Sequence, residues 1–275
     1  MKLFLTFRAQ WRIWTLRVLL LGFIFLLNMK PAAGFGKGPF SHAVITRLAL
    51  EQYTIETNWE LETSCAQVLI QSSIVSDNAN FGSKDTYHCD NNNLQGCSWR
   101  LDQLKGEARK DPVALKSLQK MGQALHIIQD FYAHSNWAEI FQTSGIQAPL
   151  ETFKDVPPPL DVQSGYFPDL FLPSVETQVL CYTAPQEEWG KFILGATHDC
   201  INKDSSTTKR GAQWVPNTIG LTYHELAARY AVKHSVDALK EFARVNPHFI
   251  TCLKPLPLTF GCNNFINKVI ERNTR

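Results

Sequence analysis

The fold of this chain is decided by the stretch Gly122–Glu139, which reads GQALHIIQDFYAHSNWAE. It places His126, Asp130 and His134 at successive intervals of four residues. On an α-helix each such interval turns the side-chain direction by about 40° and rises by about 6 Å, so the three side chains share one face. Apolar residues border this polar stripe on both sides, which predicts that the helix is largely buried.

Imidazole and carboxylate groups in this pattern are candidate metal ligands. His126 and Asp130 are close enough to hold one ion together, Asp130 can bridge to a neighbouring ion, and His134 lies too far along the helix to join the first. The spacing therefore suits a row of two or three ions. The simpler alternative is a buried histidine hydrogen-bonded to an aspartate one turn away, because a lone buried charge is expensive.

The first residues read as a targeting segment. A basic leader is followed by ten apolar residues, Val18–Leu27, and then by small residues up to Gly34. The apolar run is shorter than the roughly 20 residues of a membrane span. We therefore predict a signal peptide at residues 1–34, cleaved after Ala33 or Gly34, with a signal anchor as the alternative. The protein is then expected to be secreted, with no transmembrane span after cleavage.

Composition and cysteine content restrict the partners and the compartment. A net charge of +2 without a basic face gives no indication of a nucleic-acid partner.

Seven cysteines behind a secretion signal predict disulfides in an oxidising compartment. The sequence leaves their connectivity open; pairs that could close loops are Cys89–Cys97, Cys181–Cys200 and Cys252–Cys262. Cys65 is then left over, and its apolar helical surroundings predict a buried free thiol.

Periodicity along the chain predicts a mainly α protein, without strand alternation or internal repeats. The predicted helices run from a Ser41 cap through Leu50, from about Trp59 to Val75, from Asp111-Pro112 into the central motif, and from about Thr222 to Val245. A proline-rich, loop-like stretch follows Trp137 and extends to about Pro216. We expect one helical domain at residues 35–248 with this loop-rich insertion, and a disulfide-stapled C-terminal extension at 249–275.

Further metal-competent side chains lie at the ends of the predicted helices and in the loops. Taken singly, each is more readily a solvated surface residue than a ligand. Those that could join the central motif are His42, Asp77, His88 and His224, with Asp90, His198 and Asp199 as weaker candidates.

Several motifs that follow one another in a fixed order carry a resemblance. They are His42-x-x-Ile45-Thr46, Asp77, His88-x-Asp90, Gly122-x-Ala124-Leu125-His126-x-x-Gln129-Asp130-Phe131-Tyr132-x-His134-Ser135-Asn136-Trp137, Ser164-Gly165-Tyr166-Phe167 and Ile201-Asn202-Lys203-Asp204-Ser205. Together they resemble the N-terminal region of the von Willebrand factor A domain-containing protein 7 family. That region is similar to heterokaryon-incompatibility C proteins and, more remotely, to zinc-dependent phospholipase C and single-strand-specific zinc nucleases.

The resemblance implies a helical fold of the phospholipase C/nuclease type that holds one to three zinc ions. The implied ligand sets are Asp77, His88, His126 and Asp130 for the first ion, His42 and Asp130 for the second, and His134 and His224 for the third. In those enzymes an N-terminal Trp amino group assists at the second ion, and a carboxylate one turn after the second histidine completes the third site. This chain has no matching Trp and carries Ala228 at the carboxylate position, where Asp199 could substitute from the loop.

Because the third metal site lacks its carboxylate, we expect the domain not to be catalytic. We expect a secreted, metal-binding domain that acts as a non-catalytic extracellular interaction module, with zinc as its cofactor and another extracellular protein as its partner. The alternative is an active zinc-dependent phosphodiester hydrolase of the phospholipase C type, with a phospholipid or another phosphodiester as its substrate.

Overall fold

The computed structural model describes residues 35, 38–77, 85–166 and 198–256, apart from the side chain of Asp199. The predicted signal peptide, Cys181, Cys262 and residues 167–197 of the loop-rich insertion lie outside these residues. Within them the chain is mainly helical, as predicted. The helices are α1 His42–Thr57, α2 Thr63–Val75, α3 Asp85–His88, α4 Leu94–Lys110, α5 Ala114–His134, α6 Trp137–Ile140, α7 His198–Ile201, α8 Tyr223–Val245 and α9 Pro247–Thr251, with a 3-10 turn at Leu150–Thr152.

Helix α5 lies at the centre of the domain, where α2, α4 and α8 pack around it. Every residue from Ala124 to His134 is buried. Gly122 permits the close approach of α2, because a Cβ atom at this position would lie 2.7 Å from the Leu69 carbonyl oxygen. The central motif is therefore embedded in the core, as its pattern predicts, and its polar stripe must find partners inside the protein.

The two helices that complete the site have well-defined starts. The Ser41 hydroxyl accepts a hydrogen bond from the Val44 N–H at the start of α1, as predicted. Helix α8 opens with a capping box, in which Thr222 and Glu225 each satisfy a backbone N–H of the other. These caps fix the first turns of α1 and α8, which carry His42 and His224.

The starts of two predicted helices are wrong. Helix α5 begins at Ala114 rather than Pro112, because Asp111 ends α4 and its carboxylate accepts the Val113 N–H at 3.0 Å. Helix α2 begins only at Thr63, since Trp59–Leu61 forms a strand, β1. The sequence analysis also missed α4 entirely.

Strand β1 pairs antiparallel with β2, Leu253–Pro255. Two segments distant in sequence make this pair, and Cys252, which precedes β2, is disulfide-bonded to Cys65 near the start of α2. The predictions of a buried free thiol at Cys65 and of a Cys252–Cys262 pair are therefore wrong. The strand pairing brings the two cysteines together, and the Glu62 N–H also donates to the Cys252 carbonyl at 2.9 Å.

A second disulfide closes a local loop between Cys89 and Cys97, which confirms that prediction. Cys200 is also disulfide-bonded; its predicted pairing with Cys181 stays a prediction. Among the described residues, no helix combines the length and the apolar character that crossing a membrane requires.

Candidate metal centre

The first group of candidate ligands, called the first centre below, consists of His42, Asp77, His126 and Asp130. One ligand atom from each lies within 4.8 Å of the others. Helix α5 supplies His126 and Asp130, the first turn of α1 supplies His42, and Asp77 follows the end of α2. The side chain of Asp77 is 14% exposed, whereas those of His42, His126 and Asp130 are at most 1% exposed. The cluster is therefore almost closed to solvent.

Asp130 faces histidines with both carboxylate oxygens. Its Oδ1 lies 3.1 Å from His42 Nε2, and its Oδ2 lies 2.9 Å from His126 Nε2 and 2.6 Å from His88 Nδ1. Asp77 lies between His42 and His126. Its carboxylate oxygens are 3.8 Å from His42 Nε2 and 3.9 Å from His126 Nε2, distances that are too long for hydrogen bonds. Ligand atoms on one tetrahedral zinc lie roughly 3.3 Å apart, so these separations are close to those of an ion-binding cluster.

The histidines are oriented by hydrogen bonds from Nδ1. Since a carbonyl oxygen can only accept, Nδ1 must carry a proton, and in the neutral ring Nε2 keeps its lone pair for the site. This is the usual arrangement of metal-binding histidines. The pairs are His126 with the Ser73 carbonyl at 2.8 Å, His42 with Gln129 Oε1 at 2.7 Å, His134 with the His88 carbonyl at 3.0 Å and His224 with the Lys203 carbonyl at 2.7 Å.

Several buried polar atoms around the site have no hydrogen-bond partner among the described residues. They are His42 Nε2, Asp77 Oδ1, His88 Nε2, Asp90 Oδ1, Asp130 Oδ1 and His224 Nε2. An unsatisfied buried polar atom costs about 1–3 kcal/mol, so their concentration in one region calls for a ligand. Imidazole nitrogens and carboxylate oxygens fit a divalent metal ion.

The electrostatics of the first centre reflect the crowding of charges. Burial lowers the pKa of His42, but the negative charge of Asp130 outweighs it and raises this pKa to about 9. Burial lowers the pKa of His126 to about 4, and a positive His42 adds to that shift. Burial raises the pKa of Asp77 to about 7, and the charge of Asp130 acts in the same direction. Without a metal, the raised pKa values of His42 and His88 favour their protonated forms, which balance the charge of Asp130.

A second group of candidate ligands contains Asp90, His134 and His198, again with ligand atoms within 4.8 Å of one another. Asp204 Oδ1 lies 2.9 Å from His134 Nε2, on the side of the ring opposite Asp90. All four residues are buried. Burial lowers the pKa of His134, but the charges of Asp90 and Asp204 outweigh it and hold this pKa well above its usual value.

The sequence of this chain can be compared with known protein families. Residues 45–154 match the VWA7 N-terminal domain. The predicted resemblance to that region is confirmed, and the match includes Asp77, both His88 and Asp90, and the central motif on α5. The more remote similarity to phospholipase C and the nucleases stays a prediction. Comparisons with curated proteins and with solved structures gave no match for the chain.

The remaining candidates take different positions around these two groups. His88 lies between the two groups, with its ring 6.4 Å from that of His134. His224 joins neither group among the described residues; its ring packs 5.7 Å from Phe35 and 5.5 Å from Phe40. Ala228 is buried on α8 and supplies no carboxylate. Asp199 lies in α7, and its side chain is outside the described part.

Two residues near the second group were not singled out as functional from the sequence. Asp204 contacts His134 and also accepts the Phe35 N–H at 3.1 Å. Lys203 is fully buried and pairs with Glu139 at 3.0 Å. Both lie in the motif Ile201–Ser205, which contributed to the resemblance and was the available signal. A single loop aspartate had no other feature that set it apart.

Proposed function

We propose that this domain is a secreted zinc-binding module that acts without catalysis and uses its metal to fix the helical core for an extracellular protein partner. The observation that carries the proposal is the closed first centre. His42, His126 and Asp130 are almost completely buried. His42 lies in the first turn of α1, and His126 and Asp130 lie one turn apart on α5. Structural zinc sites are closed in this way, whereas catalytic sites keep an open position.

The donor set supports zinc as the metal. Two imidazoles and two carboxylates whose ligand atoms lie within 4.8 Å of one another suit zinc better than calcium or magnesium, which prefer oxygen ligands alone. The disulfides Cys65–Cys252 and Cys89–Cys97 support an oxidising, extracellular compartment. Because α1, α5 and the segment that follows α2 each contribute a ligand, binding of one ion would stabilise the packing of these elements.

The alternative function is a zinc-dependent phosphodiester hydrolase. It is favoured by Asp130, whose two oxygens face different histidines as a bridging ligand would, and by the partial exposure of Asp77. Bound zinc would supply Lewis acidity and lower the pKa of a water. The chain itself would place Asp77 at the solvent-facing edge and orient His42 and His126 through their Nδ1 hydrogen bonds.

The two functions are separated by three measurements on the purified secreted protein. They are the zinc content, the thermal unfolding midpoint with and without chelator, and the hydrolysis of a chromogenic phosphodiester and of phosphatidylcholine vesicles at saturating zinc. We expect bound zinc, a lower unfolding midpoint in chelator, and no hydrolysis above that of Asp130→Ala. Hydrolysis that Asp130→Ala and Asp77→Asn both abolish would establish the enzyme instead. Absence of zinc from the wild-type protein would overturn both.

A further inference from the structure

We propose that an open groove near the C-terminal ends of α1 and α8 binds the extracellular partner, which fills it with a large apolar side chain that has a carboxylate nearby. The inference rests on the proposed function for the class of the partner, and it adds where that protein binds and by which chemistry. The groove has a volume of about 760 Å³, and α1, β1, α8, α9 and β2 all contribute to its lining.

The apolar lining of the groove includes large side chains that reach solvent. Trp59 on β1 is 43% exposed and Ile250 on α9 is 47% exposed, while Tyr53 on α1 is almost fully buried beneath the groove surface. Exposed apolar residues scattered singly over a protein need no explanation, but these two line one groove and form a patch. Tryptophan, tyrosine and arginine contribute most to the affinity of protein interfaces, and Trp59, Tyr53 and Arg244 all line this groove.

The fold shapes this groove before any partner binds. The ring of Tyr53 packs edge-on against that of Phe249, with their centroids 6.1 Å apart. Strand β1, which carries Trp59, pairs with β2, and the disulfide Cys65–Cys252 fixes the segment between α9 and β2. A preformed surface loses little conformational entropy on binding, so more of the contact energy appears as affinity.

The charged residues of the groove indicate what accompanies the apolar side chain. Lys240 Nζ lies 2.5 Å from Glu56 Oε2 and 3.6 Å from Asp237 Oδ1. Arg244, one turn further along α8, is exposed and forms no ion pair with any residue that the structure describes. A guanidinium group in this state is complementary to a carboxylate. The groove has too few cations for a nucleic acid or an acidic membrane, which favours a protein segment that carries one acidic residue.

The groove is separate from the first centre. Tyr53 lies eleven residues after His42 on α1, which corresponds to about 16 Å along the helix axis. Substitutions in the groove therefore leave the candidate metal ligands in place, and the groove and the metal can be tested independently.

The test selects peptides from a phage-displayed library of random dodecapeptides on the immobilised, zinc-saturated secreted protein. We expect enriched peptides to carry a large apolar residue close to Asp or Glu. Their synthetic copies should bind Trp59→Ser roughly 25-fold more weakly and Arg244→Gln about 2–5-fold more weakly than the wild type. Trp99→Ser and Arg229→Gln, two exposed positions outside the groove, are the matched controls and should bind like the wild type.

Charge reversal tests the carboxylate itself. Selection on Arg244→Glu should enrich Lys or Arg in place of Asp and Glu. A wild-type selection without enrichment, enriched peptides without an acidic residue, or equal affinity for the wild type and Trp59→Ser would each overturn the proposal. If Trp59→Ser does not fold, as judged by far-ultraviolet circular dichroism, Ile250→Ser takes its place, with an expected loss of about 10-fold.

Zinc analysis and light scattering of the same protein distinguish the other outcomes. Bound zinc without peptide enrichment would overturn the groove and leave the metal-stabilised module standing. Peptide binding that depends on Trp59 in a protein that takes up no zinc would support the groove and overturn the metal part of the proposed function. A dimer that Trp59→Ser converts to a monomer would assign the groove to a second copy of this chain and overturn the proposed partner.

Discussion

At the scale of single residues, Asp130 is the position on which the first centre depends most. Replacing it by alanine removes the carboxylate that faces His42, His88 and His126 and leaves those imidazoles without a balancing charge. We expect Asp130→Ala to lose bound zinc and to lower the free energy of unfolding by about 3–5 kcal/mol. Zinc analysis and urea denaturation measure this, with Asp102→Ala, 52% exposed, as the control. Wild-type zinc content in Asp130→Ala would show that this carboxylate is not a ligand.

Gln129 makes a separate contribution, because it orients His42. Its Nε2 donates to Thr46 Oγ1 at 3.0 Å, which directs Oε1 toward the Nδ1–H of His42. Loss of such a supporting contact typically weakens metal binding 10–100-fold. We expect this weakening in Gln129→Leu, measured by competition with a chromogenic chelator, and little change in Gln67→Leu, an exposed residue of α2. Equal zinc affinities in the two variants would show that Gln129 does not orient His42.

The pKa of His42 predicts an opposite response to pH with and without zinc. Its folded-state pKa of about 9 lies above the ordinary 6.5, so in the metal-free protein it stabilises the fold below pH 6.5 and this contribution is lost as the pH rises through 9. His88 and His134, whose pKa values are also raised, act in the same direction. Zinc at the first centre must displace the proton on His42, so its affinity should rise with pH over the same range.

Urea denaturation at pH 6.5 and pH 9 tests this prediction, once in chelator and once at saturating zinc. The metal-free protein should be less stable at the higher pH, and the stabilisation that zinc adds should be larger there. His42→Gln should reduce the change in the metal-free protein. A metal-free stability that rises between the two pH values would contradict the assignment of the proton to His42.

At the scale of the elements, the Cys65–Cys252 disulfide joins α2 to the segment before β2 across 187 residues of sequence. A crosslink that closes so long a loop restricts the unfolded chain strongly, with typical effects of about 2–4 kcal/mol. We expect Cys65→Ala with Cys252→Ala to lower the thermal unfolding midpoint more than Cys89→Ala with Cys97→Ala, which opens a loop of only eight residues. Calorimetry of both double variants decides this; an equal or reversed order would contradict it.

The elements also show which parts of the structure could be predicted from the sequence. The periodicity of α5 and the cap residues of α1 and α8 are local signals, and these helices lie close to where they are predicted. Strand β1 has only three residues and exists because β2 pairs with it from far along the chain. No local pattern encodes such a pairing, and the same holds for the disulfide beside it.

The same difference between local and long-range signals applies to the candidate site. His126, Asp130 and His134 could be identified together because one helix spaces them. The arrival of His42 and Asp77 at that helix followed only from the family resemblance. Asp204 reaches His134 through the hydrogen bonds of Lys203, a tertiary arrangement that an isolated loop aspartate does not reveal.

At the scale of the whole molecule, the proposed secretion predicts the state of the cysteines. The chain has seven, and in an oxidising compartment we expect no more than one free thiol. Thiol counting on the denatured, unreduced protein secreted from eukaryotic cells measures this directly, with reduced protein as the control for complete reaction. Three or more free thiols would contradict the predicted compartment.

The central claim is that a metal ion joins the core helices at the first centre. Anomalous diffraction measured on both sides of the zinc absorption edge, from crystals of the purified protein without added metal, tests it most directly. The claim predicts an anomalous peak within about 2.2 Å of ligand atoms from His42, Asp77, His126 and Asp130. Absence of a peak there in these crystals, with the His42 and Asp130 side chains hydrogen-bonded directly to each other, would contradict it.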